Sequence, residues 1–146
     1  MAELEIASDA FEEGGTIPSR HTCDGANVSP PLSFAGAPAG TRSLALVVDD
    51  PDAPVGTFTH WLAWGIDPSA AGFDEGQPAP REGRNGFGTT GYAGPCPPHG
   101  RHRYFFRLHA LDTDLDLHAG ADREQLDRAL DGRVLETTEL VGGYQR

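Results

Sequence analysis

Three short stretches carry the side chains that could do chemistry: Asp50 and Asp52 in DPDAP, His60 just before Trp61, and His102 two residues before Tyr104. Carboxylate, imidazole and phenol exchange protons, orient one another and hold small charged ligands. A carboxylate beside a histidine favours the imidazolium, and imidazole N–H groups near glycine-rich backbone suit an anion. Each residue alone also has a plainer reading. Asp50 and Asp52 are what an Asx turn around Pro51 requires, His60 suits a half-buried histidine with satisfied nitrogens, and Tyr104 suits a core ring with its hydroxyl at the rim.

What joins them is the set of elements that must carry them. Residues 43–50, SLALVVDD, are apolar and β-branched, which predicts a central strand ending at Asp50. Residues 57–66 alternate, which predicts a strand with Phe58, His60, Leu62, Trp64 and Ile66 on one face. Residues 102–111 alternate as well, with His102, Tyr104, Phe106, Leu108 and Ala110 on one face and Arg103, Arg107 and His109 on the other. A weaker strand is expected within residues 134–146. A helix is expected over residues 122–130, opened by a capping box of Asp122 and Gln125 and stopped near Gly132, with Leu126, Ala129 and Leu130 buried. The irregular stretches 14–40 and 67–98 hold most of the glycines and prolines and read as loops of fixed shape. Asp50, His60 and His102 thus all fall at strand ends. Where three such ends meet, a polar cup forms on an apolar floor, the usual make-up of a ligand pocket.

The stretches DPDAP, HW, GYAGPCPPHG and HRYFF, in that order, resemble the phosphatidylethanolamine-binding protein (PEBP) family, closest to its prokaryotic Raf kinase inhibitor-like branch. IPSRHTCDGANVSPPLSF, GRNGFGTTGY and the closing LVGGYQR agree with it, so the resemblance spans nearly the whole chain. It implies a mainly β fold over residues 1–146: a central antiparallel sheet packed by a second, smaller sheet, with one or two short helices including a C-terminal one. It further implies a pocket for a small anion such as phosphate or a phospholipid head group, without catalysis. The ligand-binding positions it indicates are Asp50, His60, Gly94, Pro95, His102 and Tyr104, and Asp52 of the same DPDAP turn is expected with them. It also implies a cis bond between Ala53 and Pro54, in keeping with the crowded DPDAP turn.

Composition bounds the alternatives. At 146 residues the chain suits one core, and 19 Gly with 12 Pro favour a loop-rich β architecture over a helical bundle. A formal charge of −11, with arginine as the only strongly basic residue type, argues against a nucleic-acid partner. The N-terminal residues show no signal-peptide pattern and no apolar run is long enough to span a bilayer, so a cytoplasmic protein without integral membrane association is expected. Cys23 and Cys96 read most simply as separate reduced thiols, with a single bridge left open because both lie in Pro/Gly-rich loops. A hydrolase is disfavoured: there is no GxSxG elbow, and Cys96 sits between prolines with no helix start to activate it. The histidines fit no closed zinc template, so neither metal nor cofactor is expected. The expected partner is a small anionic ligand such as phosphate or phosphoethanolamine. A kinase- or protease-inhibiting surface, as in some members of the family, and a homodimer are left open.

Overall fold

The computed structural model describes residues 3–146. Its strands are β1 (Glu5–Ala7), β2 (Leu32–Ala35), β3 (Ser43–Asp50), β4 (Phe58–Ile66), β5 (Gly72–Phe73), β6 (Arg81–Glu82), β7 (Arg101–Leu111) and β8 (Val134–Gln145). One α-helix, α1 (Arg123–Leu130), precedes β8, and a 3-10 turn spans Ser19–His21. The strands form two antiparallel sheets, one ordered β1-β2-β5 and the other β6-β4-β3-β7-β8.

All eight residues of β3 are buried, because the central strand is covered on both faces. On one face Leu44, Leu46 and Val48 join Phe106 and Leu108 of β7 and pack against Ile6, Phe34 and Phe73 of the small sheet. On the other, Ala45 and Val47 join Leu62 and Trp64 and pack against Leu126 and Leu130 of α1. Each large side chain so buried contributes about 1.5–3 kcal/mol. Asp122 closes the expected capping box: its carboxylate accepts from the Gln125 N–H, and the Gln125 side chain accepts from the Asp122 N–H, both at 2.9 Å.

The simple alternation expected for β4 does not hold. Val48 pairs with Trp61 but Asp49 pairs with Thr59, so His60 is an extra residue in the ladder. A second irregularity sets Trp64 and Gly65 against Ala45, with Gly65 at φ +70° where a side chain would be strained. The two bulges send Trp61, Ala63 and Ile66 to the small-sheet face and Leu62 and Trp64 to the helix face. Phe58 and His60, by contrast, face the end of β3.

Two further expectations are corrected. Among the described residues no peptide bond is cis, so Ala53–Pro54 is trans. The reversal is made by other means: the Asp52 N–H donates to Asp50 Oδ1 at 2.8 Å, and Gly56, at φ +111°, closes a second turn onto the Ala53 carbonyl at 3.2 Å. The trans form is the one an X–Pro bond prefers, by roughly 0.5–1 kcal/mol. The cysteines are not separate thiols: Cys23 and Cys96 are disulfide-bonded, with Cα atoms 5.4 Å apart. Their loops already face each other, the Cys23 N–H donating to the Pro95 carbonyl at 3.1 Å and the Gly94 N–H to Asn27 Oδ1 at 2.8 Å.

Candidate functional site

The ends of β3, β4 and β7 meet around a cavity of about 160 Å³. Asp50, His60, His102 and Tyr104 all line it, as their strand-end positions required, and Phe58 adds an apolar wall. The 53–54 turn and the 96–98 stretch close two sides, and Phe87 stands at the rim, just over half exposed. Adjacent aspartates part ways at this point. Asp49 points to the helix face, where Arg107 and Arg123 hold it, while Asp50 points into the cup.

Asp50 accepts from two donors, one on each oxygen. Its Oδ1 accepts from the Asp52 N–H, and its Oδ2 accepts from His102 Nδ1 at 2.6 Å. Both partners are buried, so the pair holds the His102 ring in one orientation. It also fixes the tautomer of the neutral ring, leaving Nε2 as the free nitrogen. His60 is held by a different acceptor: its Nδ1–H donates to the Ala93 carbonyl at 2.6 Å, and the Ala93 N–H returns to the His60 carbonyl at 3.0 Å. Burial lowers the His60 pKa, with the Ala93 carbonyl and the Asp50 charge pulling the other way.

Tyr104 is almost completely buried, and its hydroxyl has no hydrogen-bond partner of acceptable geometry. Burial pushes the phenol pKa up, and the Asp50 charge and a poorly aligned hydrogen bond toward its carboxylate push it further, so Tyr104 stays a neutral donor. The His60 ring stands edge-on to Tyr104 with centroids 5.2 Å apart and tilted on Phe58 at 5.0 Å. The cup therefore offers one orphan O–H donor and two imidazole edges within apolar walls. Protonation of either ring would turn its free edge into a charged donor.

Not every expected residue reaches the cavity. The Asp52 carboxylate accepts two bonds at 2.9 Å from the Arg103 guanidinium, which holds its pKa down at about 2. Gly94 lines a neighbouring cavity instead, on the other side of Cys96, and its N–H is taken by Asn27. The Pro95 carbonyl is taken by Cys23. Sequence reading missed Phe58 and Phe87. Phe58 was legible, since it shares the His60 face of its strand; Phe87, in a loop between two glycines, gave no signal. A broader groove of about 710 Å³ lies between α1 and the β7–β8 ribbon, but its arginines are already paired with Asp49, Glu124, Asp127 and Glu139.

A five-stranded antiparallel sheet backed by a three-stranded one, with a polar cup at one end of the central strands, defines a two-sheet β protein with a pocket at its strand ends. The chain belongs to the phosphatidylethanolamine-binding protein family, whose model matches residues 7–145. A UPF0098 protein of Methanothermobacter thermautotrophicus is 51% identical over 150 residues, covering 98% of this chain and 99% of the relative. The crystal structure of a PEBP homologue from Chlamydia trachomatis superposes with a TM-score of 0.94 at 39% identity, covering 98% of this chain and 97% of that one. That of E. coli YbcL, a member of the same family, superposes with a TM-score of 0.92 at 29% identity, covering 99% of both.

Proposed function

We propose that the protein binds a small ligand bearing an anionic oxygen group, phosphate or a phosphoethanolamine-like head group, in the cup walled by Asp50, His60, His102 and Tyr104. The observation that carries this reading is the Tyr104 hydroxyl, a buried donor left without a partner beside two oriented imidazoles. A ligand oxygen would supply the acceptor this hydroxyl lacks, a hydrogen bond to a charged group contributing roughly 1.5–3 kcal/mol. Asp50 is an orienting group here: its oxygens are taken by Asp52 and His102, and its charge offsets an imidazolium and would suit a ligand ammonium. The family name, phosphatidylethanolamine-binding protein, supports the head-group form of the reading. The role proposed for the cup is binding of the anion.

The test is calorimetric titration of sulfate, phosphate and phosphoethanolamine into the wild type and Tyr104→Phe. Removing the orphan hydroxyl should leave the free protein as stable or more so, yet weaken binding by roughly tenfold, the worth of one hydrogen bond to a charged group. Unchanged affinity in Tyr104→Phe, or no binding of any of the three, overturns the reading.

A further inference from the structure

His102 differs from the other histidines of the chain in its partner. The Nδ1–H of His21 donates to the Val28 carbonyl and that of His60 to the Ala93 carbonyl, while His109 Nδ1 meets the Thr137 hydroxyl. Among the described residues only His102 has its Nδ1 on a carboxylate, at 2.6 Å and buried. That arrangement activates Nε2, as a base or as a nucleophile. The carboxylate fixes the tautomer that puts the lone pair on Nε2, and it stabilises the positive charge the ring acquires when Nε2 attacks. The cavity wall holds no serine, threonine or free thiol to compete, since Cys96 is in the disulfide.

Taking the anion reading of the cup as its start, we infer that His102 Nε2 accepts a phosphoryl group from a small acyl phosphate bound there. The Nε2 lone pair forms the N–P bond while the bond from phosphorus to the acyl oxygen breaks, and its electron pair leaves with the carboxylate product. The ring's new positive charge is shared with Asp50 through the Nδ1 proton. The Tyr104 O–H is the donor for a phosphoryl oxygen. An acyl phosphate needs no proton on its leaving group, so no further acid is required. A nucleoside triphosphate is a poor match: the cavity is only about 160 Å³, no Lys or Arg lines it, and the neighbouring Arg103 is engaged with Asp52. The modification is stoichiometric, one group per chain.

The experiment treats the full chain with acetyl phosphate and follows intact mass, with peptide mapping kept alkaline because phosphohistidine is lost in acid. The chain has no lysine, so acyl transfer to side-chain amines does not confuse the result. One phosphoryl group on the His102 peptide, removed by acid, is the expected outcome, and the wild-type map assigns the site without any variant. Labelling should vanish in His102→Gln, slow by roughly tenfold or more in Asp50→Asn, and persist in His118→Gln, which alters an exposed loop. Sulfate affinity, measured in parallel on Asp50→Asn, separates loss of the nucleophile's orientation from loss of the cup. Sulfate binding without phosphoryl incorporation overturns this inference and leaves the anion site standing; incorporation at any histidine other than 102 overturns it equally.

Discussion

Asp50 and His102 are 52 residues apart in sequence and 2.6 Å apart between Oδ2 and Nδ1, a buried pair that ties the end of β3 to the start of β7. Asp50 also accepts the Asp52 N–H, so one carboxylate serves both the turn and the site. Replacing it with alanine leaves the buried His102 Nδ1–H and the Asp52 N–H of the turn without their acceptor. Asp50→Ala should lose roughly 3 kcal/mol of stability, read from the urea midpoint at constant slope; a loss under about 1 kcal/mol would show that water replaces the carboxylate.

Anion affinity should rise as pH falls. Binding favours the protonated imidazoles, and burial holds His60 below the ordinary value of about 6.5, so its share of the effect develops only below that pH. Sulfate, ionised throughout, is the probe, and His60→Gln should flatten the acid side of the profile. In the absence of ligand the same depression acts on stability. The unfolded chain takes up the His60 proton first, so stability is held above about pH 6.5 and lost as pH falls below it, and sulfate should offset part of that loss. A sulfate affinity independent of pH in wild type contradicts this account.

Asp52 lies at the surface end of the turn, and its shift has a different cause. The Arg103 guanidinium keeps the carboxyl at about 2, so the pair's contribution is present above roughly pH 4 and fades as pH drops toward the depressed value. Arg103 is largely exposed, and solvent screens the pair. Asp52→Asn should therefore cost no more than about 1 kcal/mol at neutral pH and leave sulfate affinity within a factor of about two. A tenfold loss of affinity would return Asp52 to the ligand shell.

The Cys23–Cys96 bridge closes a loop with a sequence separation of 73. On the chain-entropy account such a loop is worth about 4 kcal/mol, so the Cys23→Ser/Cys96→Ser double variant should unfold at a markedly lower urea concentration. The full figure is expected if the hydrogen bonds of Asn27 and Pro95 hold the loops in the unbridged chain, because the bridge then acts on the unfolded state alone. Such bridges are rare in a reducing cytoplasm, so the bridge and the expected cytoplasmic location pull in opposite directions. Thiol counting on unreduced protein from its natural source tests whether the bridge forms there.

Local physics determines a good part of this protein. Apolar runs and alternation located β3, β4 and β7 within a residue or two, and Asp122 with Gln125 marked the start of α1, because strand period and helix capping depend on neighbours a few residues away. The same alternation put Asp50, His102 and Tyr104 on faces that do meet. What it could not reach was any feature set by a partner distant in sequence. The bulge at His60 exists because β3 pairs out of step with β4 there, and it turns Trp61 and Leu62 to opposite sides of where simple alternation put them. The Cys23–Cys96 pairing, the engagement of Asp52 by Arg103 and of Gly94 by Asn27, and the seat of Phe87 at the rim depend likewise on which loops come face to face. The residues of the cup were legible because each sits at the end of a strand with its own periodic signal; the walls that enclose them were decided only when the strands paired and the loops folded over their ends.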